Sequence, residues 1–393
     1  MKILYDHQIF TLQKYGGISR YFCELMTRLS KDPAIDYSIA LRCSFNEHLL
    51  GLPQPDTHWS RRSSLCLHPH ICSLVKTAVQ YERIRYVLTN TLLYVNQKES
   101  ERLLKKQDFD LFHPTYYDPY FLRYLEKKSY VITVHDMIHE IFPDNFPTGD
   151  PISSWKKQVL ENAEGIITIS ENTKSDIIRF FHIDPDRIHV IYHGNPFEKT
   201  TNAIQCKDLS DHPVPGKPFI LFVGTRSGYK NFDFFIHAVT PILHKNNELQ
   251  VCCAGGGPFS PRENEILKNL QVFNRVSYVE PDDLLMKKLY KNARAFIFPS
   301  LYEGFGLPIL EAFSCGCPVI LSNTSSLPEI GGDAALYFDP SDPESFTNTL
   351  EHLLTDDTLQ IQLTRRGYQR LKQFSWEKTS RATRNVYEKL VNR

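Results

Sequence analysis

"AFIFPSLYEGFGLPILEAFSCG", residues 295–316, is the stretch whose reading decides the fold. "AFIFP" is an apolar run of strand length, and "LYEGFG" is a glycine-punctuated turn at its end. "PILEAFSCG" opens on a proline suited to the first helical position, and Gly316 closes it. Strand, turn and helix in that order make one βα unit. In an open parallel sheet, ligands bind in the crevice beyond the carboxyl ends of the strands. Glu303 lies in the turn facing that crevice, and Glu311 lies about one helical turn into the helix. Both carboxylates can therefore reach toward one ligand.

Similar units recur outward in both directions. Toward the start, strands read at "KILY", "YSIAL", "LFHP", "YVITVHD", "GIITIS" and "HVIYHG"; around the opening stretch they read at "FILFVG", "LQVCCAG", "VSYVE", "AFIFP", "PVILS" and "ALYF". Each set has the size of one doubly wound α/β sheet, with segments of helical period between strands. The boundaries expected are residues 1–196 for the first domain, 197–217 for a polar, proline-punctuated linker and 218–374 for the second domain. Residues 375–393 read as a helix, with Trp376, Ala382, Val386 and Leu390 at helical spacing. That helix either caps the second domain or returns to the first.

Composition narrows the function. Lysine plus arginine, 45, equals aspartate plus glutamate, 45, so no global field argues for nucleic acid and any basic site is local. The nine cysteines lack paired CxxC spacing and read as reduced. "MKILYDHQIF" reads as a strand and not as a signal-peptide core, and no apolar run approaches the roughly 20 residues of a membrane span. A cytoplasmic location is expected.

Several loops carry candidate chemistry. Gly16 and Gly17 precede a helix with Ile18, Phe22, Leu25, Met26 and Leu29 on one face. They read either as a plain βα turn or as a close backbone approach to an anion. In "FVGTRSGYKN", Arg226 and Lys230 follow a strand end, and a guanidinium fork plus an ammonium suits a diphosphate that gains charge as it leaves. The turn amides and helix N-terminus around Gly304 to Leu307 suit phosphate, whereas Glu303 and Glu311 suit sugar hydroxyls. A ligand with both a sugar and a diphosphate fits this set. His135 and Asp136 end another strand; His139 follows at helical spacing, but with no HExxH and no third ligand, orienting a sugar or reacting group is the better reading for His135. "DFD" at 108–110 matches a metal-binding DxD but sits on the approach to a strand, where loop acids are ordinary. "AGGGPFS" at 254–260 has Ser260 where a dinucleotide fingerprint needs its third glycine; a tight turn against a nucleotide explains it.

From about His58 to Leu104 the pattern is helical, with Arg61, Arg62, Lys76, Arg83 and Arg85 among Trp59, Tyr81, Tyr86, Leu92, Leu93 and Tyr94. A solvated insertion is the favoured reading. The sharper alternative is a basic, aromatic face for anionic lipid head groups or an acceptor.

Taken together, "GGISR", "VHD", "TISENTKSDI", "VGTRSGYKN", "AGGGP" and "PSLYEGFGLPILEA" resemble the retaining family 4 glycosyltransferases. The two glutamates with seven residues between them, Glu303 and Glu311, are the most specific element. The resemblance implies the GT-B fold, two Rossmann-like domains facing a central cleft, with the C-terminal helix returning to the first domain. It implies that Arg226 and Lys230 hold the donor diphosphate, and that Gly304, Phe305, Gly306 and Leu307 offer backbone amides. Glu303 would bind the donor sugar and stabilise the reacting centre, Glu311 would bind the ribose, and His135 would lie at the sugar. Gly16 and Gly17 would shape the loop near the donor phosphates. Only three residues separate Arg226 from Lys230, a narrower spacing than in many relatives.

The expected activity is transfer of a GDP- or UDP-linked sugar, of the mannose type, to a glycan or lipid-linked acceptor in cell-surface polysaccharide synthesis. No cofactor or metal is expected, and no nucleic acid; peripheral contact with an anionic inner membrane face goes with the lipid-linked acceptor. The alternatives are a non-catalytic nucleotide-sugar-binding subunit and a nucleotide-dependent oxidoreductase.

Overall fold

The computed structural model describes residues 1–52, 82–198 and 215–392. Trp59, Arg61, Arg62, Lys76 and Tyr81 of the basic segment, and residues 199–214 of the linker, lie outside the described residues, as do the side chains of Arg83, Arg85 and Tyr86. The chain divides into two compact units: residues 1–169, 173–193 and 376–393 form the first, and residues 170–172 and 194–375 the second.

The first unit is built on parallel strands β1 (Lys2–Tyr5), β2 (Asp36–Ile39), β3 (Leu111–His113), β4 (Val131–Val134), β5 (Gly165–Thr168) and β6 (Ile188–Val190). They pair in the orders β2-β1-β3 and β4-β5-β6, and a parallel bridge from Phe112 to Tyr130 joins the two runs. Every residue of β4 and β5 is buried, as strands covered on both faces must be. The helix Trp376–Val391 belongs to this unit: Trp376, Val386, Tyr387 and Leu390 pack in the same core as Tyr5, Phe22 and Leu111. Its Tyr387 hydroxyl lies 2.6 Å from Nδ1 of His113 and 3.1 Å from the Tyr5 hydroxyl.

The second unit holds β7 (Phe219–Val223), β8 (Gln250–Ala254), β9 (Val276–Val279), β10 (Ala295–Phe298), β11 (Val319–Ser322) and β12 (Leu336–Phe338), all parallel, in the order β12-β11-β10-β7-β8-β9. The chain runs outward from β7 to one edge, then restarts at β10 and runs to the other. Strand order therefore reverses between β7 and β10, and the loops leaving these two strands flank the crevice that such a reversal opens. Phe222, Phe232, Phe235 and Phe346 fill the core beneath it.

Candidate functional site

The β7 and β10 loops are tied together. After β7, residues Gly228–Lys230 make a 3₁₀ turn, and Asn231, at φ 58°, starts the helix Phe232–Lys245. The Leu301 N–H beyond β10 donates to the Tyr229 carbonyl at 2.7 Å. Lys230 Nζ then meets Glu303 Oε1 at 2.6 Å, with side chains 16% and 12% exposed. The ammonium also sits 5.2 Å from the Phe298 ring centroid. At this degree of burial the pair interacts more strongly than a surface pair and is screened less.

Two neighbouring serines fix the Glu303 turn from behind. The Glu303 N–H donates to Ser325 Oγ at 3.0 Å, while Ser326 Oγ donates to the carbonyls of Glu303 and Phe305 at 2.8 and 3.1 Å. Ser170 Oγ donates to the Gly304 carbonyl at 2.7 Å, and Phe305 is buried edge-on against Phe374. Gly306 caps the helix Leu307–Ser314 at φ 100°, a left-handed conformation where a Cβ would also stand 2.9 Å from Ile309 Cδ1. Pro308 occupies the first turn of that helix. Within the helix, Glu311 accepts a 3.0 Å hydrogen bond from the buried Tyr290 hydroxyl. Burial and then the Glu311 carboxylate push the Tyr290 phenol well above its ordinary range, so it stays a neutral donor.

Arg226 has different partners from Lys230. Its Nε donates to Glu263 Oε1 at 2.8 Å, Nη1 to the Gly255 carbonyl at 2.9 Å, and Nη2 to the carbonyls of Gly257 and Pro258 at 2.6 and 3.0 Å. The guanidinium stacks over Phe259 at 4.7 Å, and the residue is buried. The two cations expected to project side by side toward a diphosphate are thus engaged separately: Lys230 by the β10 turn, Arg226 by the turn after β8. Ser260, where a fingerprint glycine was absent, caps the helix Pro261–Asn269 in a capping box with Glu263. Burial pushes the Glu263 carboxyl up, but the Ser260 hydrogen bonds and Arg226 outweigh it and leave it below the ordinary range.

In the first unit, Gly16 caps the helix Gly17–Leu29 in extended backbone. The Gln13 side-chain oxygen accepts the Ser19 N–H of that helix at 3.2 Å, and a Cβ on Gly16 would collide with it at 2.4 Å. His135 follows β4, and its N–H donates to the Tyr117 hydroxyl at 3.1 Å. Its ring stacks on His193, with centroids 6.0 Å apart, and lies edge-on to Tyr21. Burial first, then the neighbouring His193, His113 and Lys156, hold it well below the ordinary imidazole range, so it is neutral; among the described residues its Nε2 has no hydrogen-bond partner. His139 lies in the short helix Ile138–Ile141, stacked on Phe146. Lys156 pins this segment at two points: its Nζ pairs with Glu140 Oε2 of the same short helix at 2.8 Å, both side chains buried, and donates to the Asp136 carbonyl at 3.0 Å.

The DxD acids face the start of β1: Asp108 pairs with Lys2 Nζ at 2.5 Å and Asp110 accepts the Lys2 N–H at 2.7 Å. Among the described residues no group of three or more His, Cys, Asp or Glu side chains is arranged to hold a metal ion. Among the same residues no helix is long and apolar enough to cross a membrane. Tyr94, in the helix Glu82–Lys106, is 64% exposed.

Ser325, Ser326, Tyr290, Glu263, Lys156 and Glu140 escaped the sequence reading. Only Glu263 left a local signal, the Ser-Pro-Arg-Glu run at 260–263 that spells a capping box before a helix.

Two family models match the chain, "Glycosyltransferase Family 4" over residues 15–198 and "Glycosyl transferases group 1" over residues 208–370. The chain is 29% identical over 387 residues to O-antigen chain mannosyltransferase B of Escherichia coli, covering 95% of this chain and 96% of that one. It is 27% identical over 227 residues to O-antigen chain mannosyltransferase RfbU of Salmonella typhimurium, covering 58% and 61% of the two chains. Among solved structures, sucrose-phosphate synthase from Thermosynechococcus elongatus superposes with a TM-score of 0.69 at 19% identity, over 99% of this chain and 98% of that one. These matches set the oxidoreductase reading aside. A doubled parallel sheet, two family models that divide the chain between them and a fold shared over almost its whole length lead to one assignment: the chain belongs to the family 4 glycosyltransferases and has their GT-B fold.

Proposed function

We propose that this glycosyltransferase moves a mannose-type sugar from a GDP- or UDP-linked donor to a hydroxyl of a glycan or lipid-linked acceptor during assembly of a cell-surface polysaccharide. The O-antigen mannosyltransferases that resemble it over most or more than half of its length support the polysaccharide context. The observation that carries the donor assignment is the 2.6 Å Lys230–Glu303 pair at the strand-order reversal, beside the helix N-terminus at Leu307.

In this reading the second unit binds the donor. A carboxylate beside a diphosphate repels it unless a cation intervenes, and Lys230 is that cation. On donor binding, Lys230 turns its ammonium to the diphosphate and Glu303 is released to the sugar hydroxyls. The Leu307 helix N-terminus and the Gly304 to Leu307 backbone receive phosphate, and Glu311, aimed by Tyr290, takes the ribose. In the first unit, neutral His135, whose Nε2 has no hydrogen-bond partner among the described residues, is the candidate for hydrogen-bonding a sugar, and the Gly16–Gly17 loop is the candidate for a close backbone approach to an anion.

The bond from the anomeric carbon to the diphosphate oxygen breaks as the acceptor oxygen bonds to the same face, which retains configuration. The acceptor proton passes to the departing phosphate oxygen. Lys230 and the helix N-terminus stabilise the charge developing on that leaving group, so no metal is required. A cytoplasmic enzyme touching an anionic membrane through residues 58–104 belongs to the same proposal, checked by sedimentation with anionic against neutral vesicles.

The test is a thermal-shift panel of nucleotides and nucleotide sugars, followed by transfer assays with the best donor. Ligand that binds only the folded state raises the midpoint by mass action. Stabilisation by GDP-mannose or a UDP-sugar in the wild type, lost in Lys230→Ala and Glu303→Ala, is the expected result. No stabilisation by any nucleoside diphosphate at millimolar concentration would overturn the donor assignment, and a product with an inverted anomeric centre would overturn retention.

A further inference from the structure

Three consecutive glycines after β8, Gly255, Gly256 and Gly257, have φ of 82°, 79° and 79°. A turn of this kind has much conformational freedom to lose on ordering and no side chain of its own to hold it. Besides the Gly255 N–H bond to the Val279 carbonyl at 2.9 Å, what holds it is the Arg226 guanidinium, whose N–H groups gather the carbonyls of Gly255, Gly257 and Pro258, while Glu263 neutralises its charge. Gly256 packs so closely on the β7 loop that a Cβ would stand 2.7 Å from the Gly224 carbonyl and 3.1 Å from Arg226 Nη1. In a planar trans peptide the N–H points opposite to the C=O before it. Drawing the Gly255 and Pro258 carbonyls inward therefore turns the N–H groups of Gly256 and Phe259 away from the guanidinium.

Resting on the donor assignment above, we propose that Arg226 is a positioning residue for the nucleoside part of the donor, acting through the Gly255–Pro258 turn, and that diphosphate recognition falls to Lys230. Charge separates the two tasks. The Arg226–Glu263 pair brings no net positive charge to the β8 turn, which suits a neutral nucleoside, whereas Lys230 carries its ammonium on the strand-end loop, held by a single carboxylate that a diphosphate can replace. Distance in the sheet separates them as well: β7 borders the order reversal and β8 lies one strand further out.

The experiment compares binding of nucleoside, nucleoside monophosphate and nucleoside diphosphate, uridine or guanosine series according to which binds the wild type, to Arg226→Met, Arg226→Lys and Lys230→Met. A positioning residue that acts on the nucleoside weakens all three ligands by the same factor, about tenfold for Arg226→Met if about 1.4 kcal/mol of contact is lost. Lys230→Met weakens the diphosphate and leaves the nucleoside unchanged. In transfer assays Arg226→Met raises the donor KM with kcat held, and Arg226→Lys, which can keep one or two of the carbonyl contacts, recovers part of the loss. A loss in Arg226→Met that grows with the number of phosphates makes Arg226 a phosphate ligand and overturns the proposal.

Hydrogen exchange on the ligand-free proteins gives a reading that needs no donor. Amides of residues 255–263 exchange faster in Arg226→Met, while the β10 turn at 301–306 is unaltered; unchanged exchange at 255–263 overturns the clamp. A wild type that binds none of these ligands overturns the donor assignment, and with it the nucleoside role, while the exchange result still decides whether Arg226 holds the turn. Should Arg226→Met fail to fold, Glu263→Gln loosens the same guanidinium and is expected to show the same phosphate-independent loss.

Discussion

Lys230 and Glu303 meet at 2.6 Å although 73 positions apart in sequence, because β7 and β10 are neighbours in the sheet. Neither side chain is well exposed, so removing one leaves an opposite charge with poor solvation. Lys230→Met and Glu303→Gln should each lower the urea midpoint, and the double variant should regain part of the loss, with a coupling of about 1–3 kcal/mol. Sugar transfer should fall about 10²–10³-fold in each single variant and should not return in the double. Additive losses in the stability cycle would show that the pair is not energetically coupled.

The Lys156–Glu140 pair is buried more deeply, with side chains 0% and 3% exposed. Lys156→Met should destabilise the first unit by about 3–5 kcal/mol, since it leaves a carboxylate buried without its partner. Glu140→Gln keeps a neutral acceptor for the ammonium and should cost less. Urea unfolding of both variants measures the difference, and equal, small losses would argue that water reaches the site.

Tyr290→Phe deletes one hydroxyl and little volume. The lost bond to Glu311 should lower stability by about 1 kcal/mol and raise the donor KM about fivefold with kcat nearly unchanged. Isothermal titration with the nucleotide, beside steady-state kinetics, separates these effects; a kcat loss instead would place Glu311 in the chemical step.

Neighbouring glycines of one turn should respond differently. Gly257→Ala meets nothing within 4 Å and suffers only from its positive φ, about 1–2 kcal/mol. At Gly256 the same change adds a backbone collision, 2.7 Å from the Gly224 carbonyl, and should destabilise by clearly more. Thermal midpoints of the two variants decide the order.

Acid should weaken the first unit through its histidines. Burial pushes His113 and His193 each down to about 3, while an unfolded histidine titrates near 6.5. Between these values the unfolded chain binds more protons than the folded one, so stability rises with pH and is lost as pH falls from about 6.5 toward 3. His113→Gln should flatten the slope of urea-derived stability between pH 6.5 and 4, whatever it does to the level at pH 7.

All twelve strands among the described residues coincide with runs visible in the sequence, and those buried on both faces, such as β4, β5, β10 and β11, are nearly continuous apolar segments between turn residues. The edges drifted where pairing, not composition, sets the end: "HVIYHG" continues past β6, which stops at Val190. The Glu303 turn was legible because Gly304, Gly306 and Pro308 punctuate it locally. The partner of Arg226 was not, since the guanidinium is satisfied by backbone carbonyls 29 to 32 positions on and by a carboxylate 37 positions on. Lys156 was equally hidden: a lysine in a helix reads as solvent-facing until Glu140 and the Asp136 carbonyl are seen beneath it.

The helix Trp376–Val391 gives the first unit a particular order of manufacture. Tyr5 and His113 leave the ribosome hundreds of residues before Tyr387, the hydroxyl they share. A nascent chain halted at residue 375 would hold every described element of the second unit but an open seam in the first, with the apolar neighbours of Trp376 and Leu390 bare. Completion of the early unit thus waits on translation of the later one, and the seam is where a chaperone would find its grip in the interval.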